Sequence, residues 1–148
     1  MRAVLQRVTS AAVVVDQETV GEIKSGLLVL LGVANGDTQA DLKYVLQKTT
    51  GLRIFADEQG KMNLSVTDVG GSMLVVSQFT LLADVKKGRR PSFNGGADPA
   101  VADDYYQQFV AMAKQMGIPT ETGVFGADMQ VRLSNDGPVT IIVDSRQR

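Results

Sequence analysis

The chain has 148 residues, 44% of them hydrophobic and 21% charged, with a formal net charge of −1. That is the size and balance of a single globular domain with a real core, and its surface as a whole is no polyanion binder. It contains neither cysteine nor histidine, which excludes disulfides, thiolate chemistry, Ser-His-Asp and Cys-His nucleophiles and the usual zinc sites.

The N-terminus, Met1-Arg2-Ala3-Val4-Leu5-Gln6-Arg7, lacks the apolar core of a signal peptide. The longest apolar run, Leu27 to Ala34, is too short to span a bilayer. A cytoplasmic protein without membrane attachment is therefore expected. Residues 2–8 read as a first strand, with Val4, Gln6 and Val8 on one face and Ala3, Leu5 and Arg7 on the other. Arg7 is either an exposed edge charge or a donor reaching a site. Ala11 to Val15 and Thr19 to Ile23 flank Asp16-Gln17-Glu18 as a hairpin, and Leu27 to Val33 is a central strand closed by Asn35-Gly36-Asp37.

Asp37 or Thr38 caps a helix to about Thr50, with Leu42, Val45, Leu46 and Thr49 at helical spacing and Gly51 just past its end. Arg53 to Ala56 and Lys61 to Leu64 form a second hairpin around Asp57-Glu58-Gln59-Gly60. The next stretch, residues 73–82, reads as a buried strand. Its apolar ends, Met73 to Val76 and Leu81-Leu82, enclose the polar Ser77, Gln78 and Thr80. Alternation would put Gln78 and Thr80 on one face, and Ser77 and Phe79 on the other. Polar groups inside such a strand need partners. Neighbouring strands supply them, or the strand end lines a pocket.

Ala83 to Gly96 is a loop carrying Lys86, Lys87, Arg89 and Arg90, four cations within five residues. Such a run is a solvated face or, beside a strand with misplaced polar groups, a phosphate contact. Asp98-Pro99 opens a second helix with an apolar stripe of Val101, Tyr105, Phe109, Met112 and Met116, ended by Gly117. Asp103-Asp104 on this helix reads as an exposed face and not as a metal site. Glu121 to Phe125, Met129 to Leu133 and Val139 to Val143 read as three closing strands, the last two joined by the turn Asn135-Asp136-Gly137-Pro138. The fold class expected is α+β, one domain spanning 1–148, with a small β-barrel-like sheet core and two helices packed outside it.

Ser77-Gln78-Phe79-Thr80, then Gly88-Arg89-Arg90-Pro91-Ser92-Phe93, then Asn135-Asp136-Gly137-Pro138-Val139-Thr140 together resemble the D-aminoacyl-tRNA (D-tyrosyl-tRNA) deacylase family. The likeness covers essentially the whole chain, from Met1-Arg2-Ala3-Val4-Leu5-Gln6-Arg7-Val8 onward. It implies a homodimer with active sites at the subunit interface, and hydrolysis of the ester joining a D-amino acid, or misattached glycine, to the 3′ acceptor end of tRNA. It implies that Gly137-Pro138 is cis, enters the partner's pocket and excludes L-aminoacyl groups. It also places Met129 against the substrate and Arg7 near the partner's Gly-Pro loop. No cofactor or metal is implied.

For the chemistry, Thr80 is either a nucleophile or a residue that shapes the pocket. Without a histidine to act as base, the second role fits better, with the tRNA 2′-hydroxyl assisting water and amides near Phe79 and Thr80 holding the oxyanion. Ser77 and Gln78 would hold the adenosine or the strand geometry. Lys86, Lys87, Arg89 and Arg90 would meet acceptor-end phosphates. The rival readings are a non-catalytic tRNA-binding module, a structural dimer and a general small-ester hydrolase.

Overall fold

The computed structural model describes all 148 residues, Met1–Arg148. Strand β1 (Arg2–Val15) organises the sheet because it is long enough to serve two neighbours in succession on one side. Its first half pairs antiparallel with β3 (Gly26–Gly32), and its second half with β2 (Glu18–Ile23). The tight turn between β1 and β2 is made by Asp16 and Gln17, both with positive φ, at 48° and 68°. Parallel pairings then add β6 (Ser72–Ser77) to β3 and β7 (Thr120–Thr122) to β6, for the order β2-β1-β3-β6-β7. The two ends of this path meet, so the sheet is nearly closed. A Cβ at Gly21 of β2 would lie 2.2 Å from the Thr122 carbonyl oxygen of β7, an approach that only glycine permits.

The outward face of β1, β3 and β6 carries Ala3, Leu5, Leu27, Val29, Leu31, Met73 and Val75, all essentially buried. Two helices cover it. Helix α1 (Gln39–Gly51) starts at Thr38, whose side chain and amide form a capping box with Asp41. It buries Leu42, Val45, Leu46 and Thr49. Gly51 is the last helical residue rather than the one beyond it, and extended Leu52 caps the end. Helix α2 (Pro99–Gln115) follows Asp98 as expected, but its buried face is Tyr106, Phe109, Val110 and Ala113. Val101 and Met116, placed in its stripe from the sequence, are exposed. The buried face is centred about one position on from that stripe because Tyr106 packs into the core with Phe109, Val110 and Ala113, its hydroxyl satisfied by donating to the Val75 carbonyl of β6 at 2.9 Å. Between the helices, β4 (Phe55–Ala56) and β5 (Met62–Leu64) form the second hairpin.

Inside the barrel lie Val8, Ala11, Val13, Ile23, Leu28, Leu74 and Val76. The last strand, β8 (Gln130–Asp144), runs antiparallel along almost the whole length of β1. The sequence reading of two strands joined by a turn is therefore corrected. Both halves pair with the same neighbour in the same direction, so Asn135–Pro138 is an excursion within one strand. No helix is long and apolar enough to cross a membrane.

Candidate active site

The apolar run of β6 stops being a strand at Ser77. Gln78 donates its backbone N–H to Leu31 at 2.8 Å, and the chain then turns through one 3-10 turn, Phe79–Leu82. The expected strand over 73–82 is thus shortened, and the alternation of Ser77 and Phe79 against Gln78 and Thr80 does not apply. The turn crosses β3 at Gly32, where a Cβ would come within 3.0 Å of the Gln78 carbonyl oxygen. It is held from the far side by Arg2, whose Nη1 donates to the Leu81 carbonyl at 2.8 Å. Asp144 Oδ2 fixes the same guanidinium, accepting from Nε at 2.9 Å and Nη2 at 2.7 Å. Burial raises the Asp144 pKa, but the Arg146 amide and the Arg2 fork outweigh it and hold the carboxyl below its ordinary value.

Next to this turn a cleft of about 500 Å³ opens between the end of β6, the segment Phe93–Ala97, the start of α2 and the segment Phe125–Met129. Its walls are mostly apolar, and the polar side chains on it are Ser77, Gln78 and Asp128. That balance suits a flat aromatic group with a few hydrogen-bonding edges. At the mouth, Phe79 is 58% exposed and meets Phe93 edge-on, with ring centroids 5.3 Å apart.

The cleft brings Met129 against the consecutive residues Ser77, Gln78 and Phe79, about fifty positions earlier in the sequence. It does not include Thr80, which is exposed beside it and accepts a hydrogen bond from Gln78 Nε2. The Thr80 hydroxyl is hydrogen-bonded to the Gln78 amide and to no carboxylate or amine of the chain. The amides of Phe79 and Thr80, in the first turn of the short helix, have no acceptor within that turn.

Arg7, Gly137 and Pro138 lie elsewhere. The Gly137-Pro138 bond is cis. Arg7 has a side chain only 12% exposed and donates Nε–H to the Asp136 carbonyl of its own chain at 2.9 Å and Nη1–H to the Ile54 carbonyl at 2.6 Å. By register, the Gly-Pro loop sits opposite Arg7, whereas Ser77 aligns through Leu31 with Ala3. Four residues along β1 and three strand spacings across separate them, about 20 Å measured along the curved sheet at ordinary strand dimensions.

Lys86, Lys87, Arg89 and Arg90 are all exposed at the tip of a loop closed by the Asp84–Ser92 bridge. None of the four forms an ion pair. No three carboxylates converge anywhere in the chain, Asp103 and Asp104 included. Sequence reasoning missed Arg2, Asp128, Asp144 and the wall formed by Phe93 and Phe125. Phe93 had a signal in the motif Gly88-Arg89-Arg90-Pro91-Ser92-Phe93; the Arg2–Asp144 pair, joined only in three dimensions, had none.

The family described as D-Tyr-tRNA(Tyr) deacylase matches residues 4–144. A D-aminoacyl-tRNA deacylase of Desulfatibacillum aliphaticivorans is 59% identical over 146 residues, 99% of this chain and 100% of the relative. One of Photorhabdus laumondii is 61% identical over 140 residues, 95% of this chain and 97% of the relative. A solved structure described as c-Myc DNA unwinding element binding protein superposes with a TM-score of 0.93 at 42% identity, covering 97% of this chain and 98% of that one. A probable eukaryotic D-amino acid tRNA deacylase, at 20% identity and a TM-score of 0.76 over 97% and 98% of the two chains, shares the fold. With the family match spanning nearly every strand and both helices, this chain belongs to the D-Tyr-tRNA(Tyr) deacylase family.

Proposed function

We propose that this protein is a D-aminoacyl-tRNA deacylase. It adds water across the ester that joins a D-amino acid, or misattached glycine, to the terminal adenosine of tRNA, and releases the free amino acid and the tRNA hydroxyl. The full-length family match carries this reading. The apolar cleft with few polar edges suits a terminal adenosine and a small aminoacyl group.

The chemistry is modest because the ester is already activated. Ser77 and Gln78 hold the substrate against Phe79 and Met129, and the amides of Phe79 and Thr80 receive the developing oxyanion. Thr80 shapes this end of the cleft. The 2′-hydroxyl of the terminal adenosine assists the attacking water, since no carboxylate or amine of the chain bonds the Thr80 hydroxyl. On this view Thr80→Ala retains cleavage, and a 2′-deoxy terminal adenosine abolishes it. An inactive Thr80→Ala that still folds and binds tRNA, together with cleavage of the 2′-deoxy substrate, would make Thr80 the nucleophile instead.

The working unit is a homodimer. The row Ile142–Val4–Leu30 lies on the face that continues the barrel interior, directly across adjacent strands, and Ile142 is 66% exposed there. An open apolar row in mid-sheet suits a second copy. Such a copy brings its Gly137-Pro138 loop to this chain's cleft, which the chain's own loop, about 20 Å away by strand spacing, does not reach. There the loop crowds the position of an L side chain and leaves a D side chain free. Lys86, Lys87, Arg89 and Arg90 meet acceptor-end phosphates, and the setting is the cytoplasm.

The test is hydrolysis of D-tyrosyl-tRNA beside L-tyrosyl-tRNA by the purified protein with a chelator present. Loss of the D form alone supports activity, chirality filter and metal independence together. Equal cleavage of both overturns the role of Gly137-Pro138. Cleavage of neither, in a folded dimer that still binds tRNA, makes the protein a tRNA-binding module.

A further inference from the structure

Opposite Arg7, strand β8 carries four residues where a regular ladder has one. Val8 faces Asn135 and Gln6 faces Thr140, so residues 136–139 are inserted between two paired rows. An insertion of this kind has lost its ladder hydrogen bonds, and its backbone needs other ties to keep one shape. The base of the loop is closed by one side chain. Asn135 Oδ1 accepts the Val139 N–H at 2.7 Å, while Nδ2 donates to the Val139 carbonyl at 3.2 Å and to Thr140 Oγ1 at 3.2 Å. The amide pairs with both polar groups of Val139 as a neighbouring strand would. Because Val139 offers one donor and one acceptor, this geometry also fixes which end of the amide is oxygen.

Val139 is itself buried in the main core, so the far end of the clasp is rigid. Asp136, Gly137 and Pro138 project as an exposed triplet between Asn135 and that anchor. Arg7 supports the triplet separately, at the Asp136 carbonyl. No residue type other than asparagine or its homologue glutamine offers an acceptor and a donor in this planar arrangement. Aspartate matches asparagine in shape, but would turn a second oxygen toward the Val139 carbonyl.

We propose that Asn135 is a positioning residue for substrate specificity: its amide clasp on Val139 holds the Gly137-Pro138 loop in its projecting shape, and that shape sets discrimination between D- and L-aminoacyl esters. The inference rests on the proposed function, in which this loop excludes the L side chain. Asn135 touches no substrate. Its loss therefore relaxes selectivity without removing the chemistry.

The experiment compares wild type, Asn135→Ala and Asn135→Asp in single-turnover hydrolysis of D-tyrosyl-tRNA and L-tyrosyl-tRNA, with hydrogen exchange followed at the Val139 amide. Both variants are expected to keep D cleavage within about fivefold and to raise L cleavage by about tenfold or more, alongside faster exchange at Val139. Asn135→Asp, with its shape conserved, carries the test should the alanine variant not fold. An unchanged D-to-L ratio in folded variants overturns the proposal. So does an equal loss on both substrates, which is the mark of a merely structural residue. Failure of the wild type to cleave D-tyrosyl-tRNA would instead overturn the function itself.

Discussion

Arg2 is the side chain through which the fold reaches the turn at the cleft, and replacing it with methionine isolates that connection. Methionine keeps the apolar stem and removes the fork that joins Asp144 to the Leu81 carbonyl. Asp144 is then left almost buried, with the Arg146 amide at 2.9 Å as its remaining tie. Breaking a fully buried pair costs about 3–5 kcal/mol, but Arg2 is partly exposed and Asp144 keeps one donor, so about 2 kcal/mol is expected. The folded-state pKa of Asp144 is depressed in the wild type. The stabilisation is therefore fully present above the unfolded value of about 3.9 and is lost as pH falls through the folded value. Urea unfolding of the protein should show the full difference at pH 7 and a shrinking one below about pH 4. The loosened turn should also lower cleavage of D-tyrosyl-tRNA about tenfold. A destabilisation that stays the same at both pH values, or that falls below about 0.5 kcal/mol at pH 7, would refute the reasoning.

Two further outcomes are expected. Tyr106→Phe should cost only about 1 kcal/mol in urea unfolding and leave cleavage unchanged, because the Val75 carbonyl still accepts from the Gly123 amide at 3.2 Å. Burial pushes the Tyr106 phenol up to about 12, so this difference should be constant from pH 6 to about 10. Neutralising Lys86, Lys87, Arg89 and Arg90 together should weaken tRNA binding and flatten its log-log salt dependence by at most about 3, measured by titration at several salt concentrations. No change in slope would return the loop to a solvated face.

The elements that could be read from the sequence are those whose cause is local. β3 announces itself as a continuous apolar run because it is buried on both faces, and α1 by its cap at Asp37 or Thr38 and the helical spacing of Leu42, Val45, Leu46 and Thr49. The break at Ser77 was visible as polar residues inside an apolar run, but not its shape. A strand end and a 3-10 turn carry the same residues until Gly32 and Arg2 are placed against them. Asn135-Asp136-Gly137-Pro138 misled for the same reason. Its turn chemistry is equally that of a hairpin and of an excursion, and only the common partner β1 decides between them. In the cleft, Ser77, Gln78 and Phe79 were named from the residues and Met129 through the family resemblance alone, while Asp128 and Phe125 entered through packing.

The wide spacing of the named residues has a physical reason. A chain without histidine or cysteine has few side chains to spend on catalysis, and an aminoacyl ester needs little more than placement and an oxyanion site. The demanding task for the proposed enzyme is refusal, since nearly every aminoacyl-tRNA in a cell carries an L residue that must be left intact. Refusal is steric, and it requires a rigid obstacle rather than a reactive group. The structure invests accordingly. The cleft is lined by apolar walls and three polar side chains, whereas the Gly-Pro loop is tied down by Arg7, Asn135 and buried Val139. On the proposed function, with loop and cleft about 20 Å apart along the sheet of one chain, selectivity is expected to arise only on assembly. A monomer would therefore be expected to lose the filter before it loses the chemistry, and a face variant such as Ile142→Lys tests this directly. Dimer dissociation accompanied by a falling D-to-L ratio supports the split, while a selective monomer would disprove it.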